Sequence, residues 1–167
     1  LSKQIMQVKA LVDISISKLQ QLNKKVVTID ADNTLFLPKI PLNQQDVQKA
    51  TNFIQQLLAK NFFVVVISNN FSTDRKEYLE QLGINSIFFA KKPLPFGFKK
   101  AFDIACKNNP NLQKQDFVHI GDQLLTDVFG AKIFDIDYIS VEPLDPDKDL
   151  WYAKPSRLLE RITKKRR

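Results

Sequence analysis

The chain has 167 residues, 44% hydrophobic and 26% charged, with a single cysteine and a formal charge of +7. This is the composition of one globular domain that can bury a core; it excludes an internal disulfide framework, and no stretch approaches the ~20 apolar residues of a membrane span. Five of the positive charges fall in the last seven residues, "RITKKRR", so the excess belongs to the tail: a solvated terminus, or a contact with anionic lipid or RNA.

In chain order, residues 1–24 mix charge with hydrophobes at helical spacing and read as a helical lead-in without the layout of a signal peptide. With the lone Cys106 pointing to a reducing compartment, the expected location is the cytoplasm, and a peripheral contact at the inner membrane face is left open to the tail. The first strand is expected over 25–30. Residues 43–60 follow as an amphipathic helix with Val47, Ala50, Ile54, Leu57 and Leu58 on one face. A second strand, "FFVVVI" (62–67), precedes a helix capped by Ser72 or Thr73 and closed at Gly83. Strands over 86–89, 117–120 and 136–141 alternate with helices over 95–108 and 123–132, and a last helix spans 155–165. Strands apolar throughout, each followed by a helix, predict an α/β fold: a three-layer, doubly wound parallel sheet in a single domain over 1–167.

Such a sheet binds ligands at the carboxyl ends of its strands, and the polar residues of this chain stand there. Asp30, Asp32, Asn33 and Thr34 follow the first strand; Ser68, Asn69 and Asn70 the second; Lys91 and Lys92 the third; Asp122 and then Asp127 the fourth. Asp30, Asp32 and Asp122 can converge as a hard-oxygen site of the kind that holds Mg²⁺ together with water and phosphate. Ser68 and neighbouring backbone N–H groups suit phosphate oxygens, and Lys92 can offset the remaining negative charge. Of two carboxylates two residues apart, one can attack phosphorus while the other handles the leaving group's proton. His119, between Val118 and Ile120, reads as a core or inter-strand hydrogen-bonding group rather than a catalyst, and Cys106 as a small core hydrophobe. Trp151 and Tyr152 are expected to anchor the C-terminal segment.

"DADNT", "VVVISNN", "KKP" and "IGDQLLTD" resemble, in order, the four motifs of the haloacid dehalogenase (HAD) superfamily, covering about residues 25–140. "DADNTL", "ISNN", "AKKP" and "GDQLLTDV" together are similar to its capless, YqeG-type branch (subfamily IIIA), itself similar to phosphatidylglycerophosphatases. The resemblance implies a Mg²⁺-dependent phosphomonoester hydrolase. Asp30 would be the nucleophile that becomes an aspartyl-phosphate, and Asp32 the general acid and base that also gives its backbone carbonyl to the metal. Thr34 would support the loop, Ser68, Asn69 and Lys92 would bind phosphate, Asp122 would complete the metal site, and Asp127 would orient Lys92 or a metal-bound water. Ala31 departs from the bulkier residue common there, with its side chain expected to point away from the acids.

Only 38 residues separate Asp30 from Ser68 and 24 separate Ser68 from Lys92, too few for a cap domain. An open site suits a bulky substrate, such as a lipid head group. The loops "LFLPKIPL" (35–42) and "KKPLPFGF" (91–98), expected to flank the site, mix hydrophobes and lysines in a way that fits lipid contact or packing beneath the loops. Two other classes compete. A phospho-accepting receiver module would need its acceptor Asp after the third strand, where this chain has "AKKP". An RNA- or ribosome-associated protein with vestigial phosphatase activity would use the basic tail.

Overall fold

The computed structural model describes residues 1–38, 42 and 44–145. Six strands form one sheet: β1 (Gln4–Val8), β2 (Val26–Asp30), β3 (Phe63–Ile67), β4 (Asn85–Ile87), β5 (Phe117–Gly121) and β6 (Asp137–Val141). All pair in parallel, in the order β1-β6-β5-β2-β3-β4. The helices are α1 (Ile16–Gln21), α2 (Gln44–Ala59), α3 (Thr73–Gln81), α4 (Phe96–Asn108) and α5 (Phe129–Phe134).

The pleat sends alternate side chains to opposite faces, which is why the inner strands are apolar at nearly every position. Val27 and Ile29 of β2, with Val64, Val66, Val118 and Ile120, pack against Leu19 of α1, Ala50, Ile54 and Leu57 of α2 and Leu79 of α3. Val26, Val65, Ile67 and Phe117 face the other way, onto Phe98, Ala101 and Ala105 of α4 and Ala131 and Phe134 of α5. Each such Val or Ile, fully buried, contributes roughly 1.5–3 kcal/mol, so two dry layers hold the sheet between the helices. Ala31 is buried in the first of these cores, its side chain directed away from the acids as expected.

The winding reverses between β2 and β5. From β2 the chain moves outward to β3 and β4, then crosses to β5 on the other side and on to β6. The two strands that diverge here end in Asp30 and Gly121, placing the acidic strand ends at the sheet's switch point. Among the described residues only α2 lies between β2 and β3, and only α3 between β3 and β4, so neither crossover carries a cap.

Two expectations are corrected. Residues 4–8 of the helical lead-in form the edge strand β1, a single 3-10 turn follows at Leu11–Asp13, and α-helix begins at Ile16, capped by Ser15. Five residues of "QIMQV" fit either period; the open edge of β6 decides, with Tyr138 N–H donating to the Lys3 carbonyl (3.0 Å) and Glu142 N–H to the Val8 carbonyl (3.1 Å). The helix predicted over 123–132 starts instead as a π-helical turn, Leu124–Val128, before α5. The helix predicted over 155–165, Trp151, Tyr152 and the basic tail lie outside the described residues.

Candidate active site

Strand β2 delivers Asp30 and then stops, and the chain folds at once into a tight loop. The N–H groups of Leu35 and Phe36 both donate to the Ala31 carbonyl, at 3.1 and 2.9 Å, and Asn33 N–H donates to the Phe36 carbonyl at 2.7 Å. Asn33 sits at φ 62°, a left-handed conformation that asparagine tolerates better than most residues. Its side chain ties the loop to the segment after β6, donating to the Asp145 carbonyl (2.9 Å) and accepting from Asp145 N–H (2.8 Å). Thr34 Oγ1 donates to Asp122 Oδ1 at 3.0 Å, joining the loops after β2 and β5.

Around Asp30 the structure gathers a buried charge cluster. Lys92 Nζ pairs with Asp30 Oδ1 and lies 2.6 Å from Asp127 Oδ1. Asp127 Oδ2 accepts from Gln123 N–H at 3.0 Å, a contact that the wide turn of 124–128 makes possible by pointing Asp127 back toward the sheet. His119 Nε2 is 3.2 Å from Asp127 Oδ1, and its Nδ1 is 2.9 Å from Thr28 Oγ1. Burial lowers the His119 pKa. A neutral ring then carries its proton on Nε2, donating to Asp127 and accepting from the Thr28 hydroxyl. His119 is thus the inter-strand hydrogen-bonding group the sequence suggested, one layer beneath the lysine.

The electrostatics follow from geometry. Burial raises the Asp30 pKa well above its ordinary value, Lys92 opposing and the neighbouring acids Asp127, Asp122 and Asp32 adding to it. For Lys92, burial alone would favour the neutral amine, but Asp127 and Asp30 together outweigh it and raise the pKa. For Asp127, burial works upward and is overcome by Lys92 and His119, which hold the carboxyl far below its ordinary range. The lysine is therefore a fixed cation and Asp127 a fixed anion, while Asp30 is held above its ordinary range in spite of the lysine.

Oxygen atoms of Asp30, Asp122 and Asp127 lie within 4.8 Å of one another, all three residues buried. Three converging carboxylates beside a lysine are a donor set that suits a small hard cation such as Mg²⁺. The expected trio was Asp30, Asp32 and Asp122. Asp127 brings a further carboxylate into the cluster, and the side chain of Asp32, whose metal contact the resemblance puts at its backbone carbonyl, turns elsewhere. Its Oδ2 accepts from Ser68 Oγ (3.1 Å) and Asn70 Nδ2 (2.9 Å), and its Oδ1 pairs with Nη1 of Arg75. Asn69, expected at the phosphate, has its side chain on the backbone of Lys92: Nδ2 donates to the carbonyl (3.0 Å) and Oδ1 accepts from the N–H (2.7 Å). It holds the lysine in place. Ser68 and Thr34 stand at the strand ends as expected. Leu35 and Phe36 of the loop 35–42 are core residues, 2% and 1% exposed, whereas Leu94 and Phe96 of the loop 91–98 are 51% and 62% exposed.

Arg75 was not foreseen. The signal was present: a cation in the first turn of α3, three residues after its Ser72 cap, opposes the helix dipole and needs another reason to be there. Gly121 has a reason as well. A Cβ on it would stand 2.6 Å from Asp127 Oδ2. Gly121→Ala is therefore expected to lose about 1–3 kcal/mol of stability by overpacking, read as a lower thermal midpoint; an unchanged midpoint would mean that Asp127 has room to move.

A polar cavity of about 650 Å³ opens at the opposite end of the sheet, between Leu1, Lys24 and Asp135. Lys24 is paired there with Asp137 at 2.8 Å, and no strand carboxyl end contributes.

The chain is 32% identical over 154 residues, 92% of its length, to the probable phosphatase YqeG of Bacillus subtilis, of which it covers 84%. No protein-family model matches it. Among solved structures it is similar to an uncharacterised protein from Listeria monocytogenes, with 20% identity, a TM-score of 0.51 and coverage of 75% of this chain and 82% of that one. It is also similar to the 3-deoxy-D-manno-octulosonate 8-phosphate phosphatase of Yersinia pestis, with 13% identity, a TM-score of 0.51 and coverage of 76% and 77%. At these identities the two structures speak for the fold.

Proposed function

The chain belongs to the YqeG family of phosphatases in the haloacid dehalogenase superfamily, and from that premise we propose that it hydrolyses phosphomonoesters through an aspartyl-phosphate on Asp30, with Mg²⁺ held by Asp30, Asp122 and Asp127. The observation that carries this reading is the approach of those three carboxylates to within 4.8 Å, beside Lys92, at the switch point of the sheet. The ion, when bound, supplies positive charge that relieves the repulsion between an anionic nucleophile and an anionic phosphate.

The chain's own residues supply the rest. A carboxylate oxygen of Asp30 bonds to phosphorus as the ester P–O bond breaks, and the departing oxygen takes a proton from Asp32. Water then attacks phosphorus and returns a proton to Asp32, and orthophosphate leaves with Asp30 regenerated. Lys92 neutralises charge at the phosphoryl group while Asp127 and Asn69 fix its position. Ser68 donates its one hydroxyl proton to Asp32 here and would turn it to a phosphate oxygen when substrate binds, leaving Asn70 and Arg75 on Asp32.

The substrate reading is a phosphomonoester with a bulky apolar body, phosphatidylglycerophosphate being the first to test. Two features support it. Neither crossover carries a cap, and Phe71 and Phe89, exposed at 50% and 68%, stack beside the ends of β3 and β4. The experiment is phosphate release from that lipid in mixed micelles, from sugar phosphates, from nucleotides and from phosphopeptides. Each is assayed after chelator treatment and again after Mg²⁺ is restored. Turnover is expected to vanish with chelator and return with Mg²⁺, greatest on the lipid. Chelator-resistant turnover would overturn the metal assignment, and a preference for sugar phosphates or nucleotides the substrate assignment.

A further inference from the structure

We propose that Arg75 is the positioning residue for the acid–base group of this site: it fixes the Asp32 carboxyl group against the loop after β2, in the orientation from which it serves the departing oxygen. The inference rests on the phosphatase reading above and adds to it a residue that stands in none of the four motifs.

One guanidinium makes both contacts. Nη1 pairs with Asp32 Oδ1, and Nη2 donates to the Leu37 carbonyl at 2.7 Å. The group lies over the Phe36 ring, 5.5 Å from its centroid, and Arg75 is 5% exposed. Its backbone N–H caps back onto Ser72 Oγ at 3.4 Å, so the side chain projects from the anchored first turn of α3. Asp32 is consequently held at both oxygens, by Arg75 at Oδ1 and by Ser68 and Asn70 at Oδ2. A planar fork sets two acceptors at a fixed separation, which a lysine ammonium on a flexible stem cannot do. A solvated surface pair would need no such arrangement. Here a cation is buried at the unfavourable end of a helix, with its two bonds directed to the acid and to the backbone that follows it.

Positioning of this kind has a chemical signature. Proton transfer to the leaving oxygen matters little when that oxygen departs readily as an anion and greatly when it is basic. The experiment compares wild type, Arg75→Ala and Arg75→Lys in Mg²⁺ on para-nitrophenyl phosphate, phenyl phosphate and an alkyl phosphate. Arg75→Ala is expected to lose about 100-fold in kcat on the alkyl ester, with KM little changed, and only a few-fold on the nitrophenyl ester. Arg75→Lys, which keeps charge and bulk, is expected to show the same ordering over a narrower span. Because the ratio of two substrates' rates on one sample does not depend on how much of it is folded, partial unfolding does not obscure the result. Equal losses on every ester would overturn the inference and leave Arg75 a purely structural ion pair. A wild type inert toward all three would overturn the phosphatase reading and this inference with it.

Discussion

Asp30→Asn is expected to lower phosphate release by roughly a thousandfold or more, because an amide oxygen cannot serve as the nucleophile and no neighbouring group replaces it. The fold should survive the change. Burial raises the Asp30 pKa above its ordinary 3.8, with Asp127, Asp122 and Asp32 pushing the same way and only Lys92 opposing. A carboxyl shifted upward destabilises the folded state in its ionised form; the penalty is absent below the unfolded pKa and grows as pH rises through the folded one. At neutral pH in metal-free buffer the asparagine variant should therefore unfold at the wild-type temperature or above. Adding Mg²⁺ should reverse the order, because wild type alone keeps all three carboxylates and ligand binding to the native state raises its midpoint. Wild-type turnover by the variant in metal-replete buffer would remove Asp30 from the mechanism.

The parts of this site that were legible in the sequence are those that follow from backbone position. A strand buried on both faces must be apolar, so a polar residue at its carboxyl end stands out, and Asp30, Ser68 and Asp122 were found by that contrast, while Lys92 was preferred to Lys91 only through its motif. What the sequence hid are choices made by side chains between distant segments. Asp32 was read as one of the acids converging at the strand ends, but β2 ends at Asp30 and its side-chain alternation ends with it. The direction of Asp32 is then set by Arg75, 43 residues further on, and by Ser68, 36 residues further on. Asp127 does meet Lys92, one of the roles its motif implied, but the π-helical turn that carries it there has a wider winding that no periodicity of five residues can announce. Strand β1 was hidden for a related reason: its pairing partner is β6, at the far end of the described chain, and a five-residue edge strand carries no period of its own.

Removing the lysine should do what removing Asp30 does not. Lys92 is 6% exposed and is bonded to both Asp30 and Asp127, so Lys92→Met leaves buried carboxylates without their cation. Breaking a buried pair from one side costs about 3–5 kcal/mol, and that loss of stability is the expected result in metal-free buffer at neutral pH. Its pH dependence separates it from a simple packing defect. In wild type, Asp127 is depressed below its ordinary 3.8, so its contribution is present above that value and is lost as pH falls through the still lower folded pKa. The raised pKa of Lys92 contributes stability that is complete below the ordinary 10.5 and is lost only as pH rises through its folded value. Wild type should accordingly hold its stability with respect to this pair from above pH 3.8 to below pH 10.5. In the methionine variant burial acts on Asp30 and Asp127 unopposed by Lys92, their pKa values rise, and the variant should become more stable as pH falls from neutrality toward the carboxylate range. Mg²⁺ should recover part of the loss, because a divalent ion among Asp30, Asp122 and Asp127 restores the missing positive charge. Urea unfolding across that pH range, with and without Mg²⁺, checks all three statements. A variant that tracked the wild-type pH profile at a uniform offset would show that the lysine contributes bulk rather than charge.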